Sequence, residues 1–202
     1  MAVSRPLEFY FDFSSPYGYF ASAKIDDLAA RHGRHVEWQP ILLGAVFKIT
    51  GQQAMTSIPL KGAYAKRDLE RSARLMGVPF NLPSRFPLAT TAACRAFYAV
   101  SDQDPALAKR MAADIFAAYF VHDRDISSPD VIMDVAIAVG VEKVQLEQAL
   151  NSPAMKDRLR NEVEAAIARG VFGSPYIFVD GEPFWGSDRL DQVERWLATG
   201  GW

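Results

Sequence analysis

Leu7, Phe9, Phe11 and Phe13 alternate with Glu8, Tyr10 and Asp12, a period of two that predicts a β-strand with one face buried. Pro16 suits a first helical position. Behind it Tyr17, Phe20, Ala21, Ile25, Leu28 and Ala29 recur at helical spacing until Gly33, which predicts a helix with Ser15 at its N-cap. Val36 and Trp38 alternate with Glu37 and Gln39 before Pro40, giving a second strand parallel to the first. The chain from Ile41 to about Leu60 reads as irregular, Lys61 to Met76 as a polar helix stopped by Gly77, and the stretch carrying Pro79, Pro83 and Pro87 as a loop.

Beyond that loop the strand signal disappears. Asp104-Pro105, Ser128-Pro129 and Ser152-Pro153 each pair a capping residue with a proline at the first helical position, so three helices are expected to start there. Their apolar stripes are Leu107, Met111, Ile115 and Ala118; Ile132, Val135, Ala136 and Val139; and Met155, Leu159, Val163, Ala166 and Ile167. The stripes differ from one another, which indicates a helical bundle rather than a solenoid. Strand character returns from Tyr176 to Val179, turns at Asp180-Gly181 and resumes through Glu182 to Trp185, an antiparallel hairpin. A last helix is expected from about Ser187-Asp188 to Gly200, burying Leu190, Val193 and Leu197. The order is that of an α/β, thioredoxin-like fold, a mixed four-stranded sheet with a large all-helical insertion. Residues 1–45 and 172–202 would form the thioredoxin-like unit and residues 46–171 the inserted helical one.

With 202 residues, half of them apolar, the chain can bury an ordinary core. A net charge of −2 gives no general attraction for nucleic acid or anionic membranes, and neither is expected as a partner. Met1 to Pro6 lack the basic start and apolar run of a signal peptide, so a cytoplasmic chain is expected. His32, His35 and His122 form no metal-ligand spacing, and no metal is expected. The single cysteine, Cys94, leaves no Cys-x-x-Cys site and reads as a packed thiol.

The most informative place for chemistry is the turn Phe11-Asp12-Phe13-Ser14-Ser15-Pro16-Tyr17, where a strand hands over to a helix N-terminus. Orphan backbone N–H groups and the positive end of the helix dipole make that place an anion site. In a thioredoxin-type redox protein the two cysteines would stand at Ser15 and Gly18, so no dithiol can form here.

Phe11-Asp12-Phe13-x-Ser15-Pro16-Tyr17, Phe172-Gly173-Ser174-Pro175 and Gly186-Ser187-Asp188-Arg189 together resemble the signature segments of 2-hydroxychromene-2-carboxylate isomerases and the related kappa-class glutathione transferases. The resemblance spans almost the whole chain and implies a DsbA-like thioredoxin fold that binds glutathione as a homodimer. It implies that Ser15 donates its hydroxyl to the glutathione sulfur and holds it as thiolate. A free thiol has a pKa of about 8.5. A helix N-terminus worth roughly 0.3–1 kcal/mol and a hydrogen bond to a charged acceptor worth about 1.5–3 could together lower that pKa by about one to three. Ser15 can cap the helix at the same time.

The resemblance further implies a cis Pro175, with the Ser174 backbone offered to the tripeptide as a strand edge. Ser187 and Asp188 would hold the γ-glutamyl end, although by themselves they read first as helix caps. Lys48, in Gly44-Ala45-Val46-Phe47-Lys48, and Lys61, in Ile58-Pro59-Leu60-Lys61-Gly62, match family segments near the substrate and could pair with its carboxylate. Gln52, Gln53, Ile58 and Pro59 depart from the Asn and Arg of the naphthalene-pathway isomerases, and this loop is closer to the kappa-class version. The activity implied is isomerisation of a small aromatic oxo-acid with glutathione as cofactor. The alternatives are a kappa-like transferase and a non-catalytic thioredoxin-like binding protein.

Overall fold

In the computed structural model, residues 5–202 are described; Met1 to Ser4, most of the segment read for a leader, lie outside the described residues. The sheet has the order β2-β1-β3-β4, with β1 at Leu7–Phe11, β2 at Val36–Pro40, β3 at Tyr176–Val179 and β4 at Glu182–Trp185. β1 runs parallel to β2 through the crossover helix α1 (Pro16–Arg31), and antiparallel to β3, as β3 does to β4. The mixed four-stranded sheet expected from the sequence is therefore present.

Its first strand differs from the expectation in one respect. β1 is central and covered on both faces: Tyr10 is buried on the parity that the alternation assigned to solvent, and Glu8 is half-buried. Arg169 closes over that face, pairing with Glu8 and donating to the Tyr10 hydroxyl at 3.2 Å. Loss of water around the phenol, reinforced by Glu8, pushes the Tyr10 pKa up to about 12.

The stretch from Ile41 to Leu60 is not irregular throughout. α2 occupies Leu43–Thr50 and a short 3₁₀ turn Met55–Ser57. α2 also runs across residues 45 and 46, where the sequence placed the border between the two units. α3 follows at Lys61–Met76 as expected. The helical part then comprises α4 (Thr91–Ser101), α5 (Pro105–Phe120), α6 (Pro129–Ala138), α7 (Lys143–Asn151) and α8 (Pro153–Ala168). α5, α6 and α8 start at the three predicted prolines. Asp104 and Ser152 cap their helices through their side chains, whereas Ser128 makes no such bond. The chain closes with α9 (Leu190–Thr199). One continuous apolar core joins the sheet to the helices, with Phe11, Phe13, Tyr19, Phe116 and Phe120 in ring-to-ring contact across the boundary.

Candidate functional site

The junction of β1 and α1 is held by one carboxylate. Asp12 is almost completely buried, and its oxygens accept from the Ser14 amide at 2.7 Å, the Leu43 amide at 2.7 Å and the Thr90 hydroxyl at 3.1 Å. Its carbonyl accepts from the Ser15 amide at 2.9 Å. One side chain thus ties together the C-terminal end of β1 and the first turns of α2 and α4. Burial raises the Asp12 pKa above the ordinary carboxylate value, with the three donors pulling the other way.

On this fixed turn Ser15 takes the N-cap of α1, with φ −92° and ψ 112°, and its Oγ accepts from the Gly18 amide at 3.0 Å. Its hydroxyl donates to the carbonyl of Ser174 at 2.9 Å. Ser174 in turn accepts the Asp12 amide on its Oγ at 2.9 Å, and the Ser174–Pro175 peptide is cis. A β-carbon placed on Gly18 would meet Ser174 Oγ at 2.7 Å and Ser15 Cβ at 3.2 Å. The second cysteine position of a thioredoxin-type site is therefore filled by the side chain of Ser174, reaching in from the other end of the chain.

Ser187 and Asp188 arrive by the hairpin. The Gly186 amide donates to the Pro175 carbonyl at 3.1 Å, fixing the end of β4 against the turn that carries Ser174. The Trp185 ring lies over Gly173, where a β-carbon would collide with it. Ser187 is buried and Asp188 exposed in a 3₁₀ turn, Ser187–Arg189, that leads into α9. Neither residue caps a helix through its side chain. The sequence-level alternative of simple capping is thereby removed, because the turn is entered at Gly186 with φ 115° and α9 begins only at Leu190. The charge of Asp188 is felt at the Tyr17 hydroxyl, which donates to Asp68 of α3 at 2.7 Å. Tyr17 loses water in this position and its pKa rises, while the Asp68 carboxyl is held below its usual value, first by that hydroxyl and then by Arg71.

The structure thus brings Ser15, Ser174, Pro175 and Gly18 into one cluster, with Ser187 and Asp188 beside α1. Lys48 is exposed on the last turn of α2, and Lys61 is exposed at the first position of α3, two turns before Asp68; neither enters an ion pair among the described residues. Gln52 and Gln53 are exposed between them. Cys94 is buried against the Ile41 carbonyl at 3.7 Å, and desolvation pushes its thiol pKa far up, so it is no nucleophile. Asp12, Thr90 and Asp68 were not singled out by sequence reasoning. An acid set between phenylalanines was the available signal for Asp12.

At this turn the structure therefore sets a helix N-terminus, a hydroxyl with one proton to give, and serine and glycine at the two positions where a thioredoxin-type redox site carries its cysteines. The chain belongs to the DsbA-like thioredoxin domain family, which it matches over residues 6–198. Among its relatives is the 2-hydroxychromene-2-carboxylate isomerase of Sphingobium xenophagum, 34% identical over 96% of this chain and 99% of that protein. Glutathione S-transferase kappa 1 of Rattus norvegicus is 27% identical over 96% of this chain and 93% of its own. A solved structure of a 2-hydroxychromene-2-carboxylate isomerase superposes with a TM-score of 0.86 at 28% identity, covering 96% of this chain and 95% of the other.

Proposed function

We propose that the chain is a glutathione-dependent isomerase of the 2-hydroxychromene-2-carboxylate type, acting on a small unsaturated aromatic oxo-acid. The observation that carries this reading is the Ser15 hydroxyl at the N-terminus of α1, paired with Ser174 and facing a Gly18 that leaves no place for a second thiol. Bound there, glutathione would supply a thiolate that adds to a conjugated carbon, lets the former double bond rotate or the ring open, and leaves again unchanged. The Ser15 hydroxyl donates to the sulfur, and the α1 N-terminus stabilises its charge. The Ser174 backbone, beside Pro175 at the start of β3, pairs with the peptide part. Ser187 and Asp188 take the γ-glutamyl end, where a carboxylate can receive an ammonium group. Lys48 on α2 and Lys61 on α3, both exposed, would meet the carboxylate of the substrate.

Two further elements belong to the same reading. Ile49, Met55, Leu60, Tyr64 and Leu75 are exposed along α2 and α3, which supports a homodimer formed over that side. A cytoplasmic location fits a chain whose single thiol is unpaired. Among the described residues no helix is long and apolar enough to cross a membrane.

Thermal unfolding with millimolar reduced glutathione tests the shared part, since a ligand of the folded state raises Tm by mass action. No shift would favour a thioredoxin-like binding protein without this chemistry. The thiol titre during turnover then separates the enzymes. An isomerase leaves it constant, whereas a kappa-like transferase, the reading favoured by the loop Ile58-Pro59-Leu60-Lys61, consumes it.

A further inference from the structure

The geometry points to a second small-molecule site, independent of the one above: we propose that the groove between α4, α6 and α7 binds a monocarboxylate carried on an apolar body, with Arg95 as its anchor. A cavity of about 650 Å³ lies there, inside the roughly 300–1,000 Å³ typical of small-molecule sites. Ala92, Met133, Ile137 and Leu150 give it apolar walls.

Arg95 stands out on its lining. The residue is half-buried, its Nε is shut off from water with no partner, and Nη1 reaches only the Leu150 carbonyl at 3.4 Å. No carboxylate of the described residues lies within ion-pair distance of it. Two nearby arginines of the helical part are matched, Arg158 with Asp102 and Glu162 and Arg124 with Asp134, whereas Arg95 shares with Arg67, Arg74 and Arg110 the lack of an ion pair among the described residues. A guanidinium offers a planar fork of donors suited to a carboxylate. Thr91, one turn earlier on the same face of α4, adds a hydroxyl to the groove.

The surrounding charges narrow the ligand. Lys143 stands with Arg95 on the lining, but Asp130 and Glu147 oppose them, and Asp134 is engaged by Arg124. The groove therefore has no cationic field for a phosphate ester or a dicarboxylate, and a single carboxylate with hydrocarbon behind it is what the lining matches. The groove also lies on a different face of α4 from the one turned to the β1–α1 junction. Thr90 and Cys94, whose side chains point towards Asp12 and Ile41, lie on the neighbouring face of α4 from Thr91 and Arg95.

The test uses 2-naphthoate as the probe and 2-naphthol as its uncharged counterpart, titrated calorimetrically into the full chain saturated with S-hexylglutathione to cover the other site. Naphthoate is expected to bind at one site per chain, at least about tenfold more tightly than naphthol. Arg95→Gln should weaken naphthoate by about tenfold or more with no change in S-hexylglutathione affinity. Met133→Trp, which fills the groove from α6, should abolish it. Should either variant fail to fold, the other decides. Equal affinity for naphthol, retained binding in a folded variant, or loss of binding under S-hexylglutathione would each overturn the proposal.

Discussion

The Ser15 hydroxyl donates its only proton to the Ser174 carbonyl at 2.9 Å, although the two residues are separated by 159 positions. A hydroxyl with one proton cannot serve two acceptors. For Ser15 to donate to a sulfur above α1, it must turn away from Ser174, and a peptide N–H paired to that carbonyl would replace what the turn gives up. On the proposed function, the observed geometry is one hydrogen bond away from the one that would serve a sulfur, and here the Gly18 N–H donates to the Ser15 oxygen at 3.0 Å.

Ser15→Ala removes that donor and the α1 cap together. Loss of one preorganised donor to a developing or resident anion lowers turnover by about 10²- to 10³-fold, while glutathione, held elsewhere by its peptide part, should lose less than about tenfold in affinity. The missing cap costs about 0.5–2 kcal/mol of stability. Steady-state kinetics beside a glutathione titration checks this, and an unaltered rate would remove Ser15 from the mechanism.

Gly18→Ala tests the fit of Ser174 into the site. The added methyl would stand 2.7 Å from Ser174 Oγ, an overlap of the kind that costs about 1–3 kcal/mol. Ser174→Ala alone leaves the Asp12 amide without its acceptor, at about 1–3 kcal/mol. In the double variant the overlap with Ser174 Oγ is gone, and the contacts to Ser15 at 3.2 and 3.3 Å remain. Denaturant unfolding should therefore give a double loss smaller than the sum of the singles by about 0.5–3 kcal/mol. Strict additivity would show that the two positions do not share space.

Why some of this could be read from the chain and some could not is a matter of range. The strands, α1, α3 and the three proline-started helices carry their own signals: an alternating pattern, a local cap, a Gly stop. α2 carries none, because Leu42-Leu43-Gly44-Ala45-Val46-Phe47 has no polar face and no capping side chain. Its first amide is satisfied by Asp12, 31 positions away. α7 buries only Leu146, too little for a periodic stripe. Ser15 and Gly18 were legible from the motif position, and Ser174 from its place before Pro175. The filling of the Gly18 space by the Ser174 hydroxyl joins distant segments and leaves no local trace. Asp12 misled for the same reason, since its parity in the alternating segment points to solvent while Leu43 and Thr90 enclose it.

Tyr17→Phe should loosen α3 from α1. The Tyr17 hydroxyl donates to Asp68 at 2.7 Å, and Asp68 keeps Arg71 when it is lost, so the half-exposed bond is worth about 0.5–1 kcal/mol. The bond needs a protonated phenol and an ionised carboxyl. Asp68 has its pKa lowered, so its contribution is present above the unfolded value of 3.8 and fades as the pH falls through the lower folded one. Tyr17 has its pKa raised above 10.0, so the phenol stays protonated at neutral pH and its contribution is lost only as the pH rises through the folded value. The stability gap between wild type and Tyr17→Phe is therefore expected to be flat from about pH 5 to 9 and to close in stronger acid. A gap that persisted undiminished near pH 2 would assign it to packing instead.

Asp12→Asn carries the opposite sign with pH. An Asn has one acceptor oxygen where the carboxylate has two. In either orientation its NH₂ faces an amide N–H, that of Ser14 or that of Leu43. One buried bond is lost and two donors are opposed, which costs about 2–4 kcal/mol. The folded pKa of Asp12 is raised by burial, so its favourable contribution is complete below the unfolded value of 3.8 and is lost as the pH rises through the folded value. Wild type should accordingly exceed Asp12→Asn by most in acid, with the margin narrowing as the pH rises, as measured by urea unfolding at a series of pH values. A margin that widened with pH would mean that the three donors outweigh desolvation and that the buried carboxyl is held as an anion.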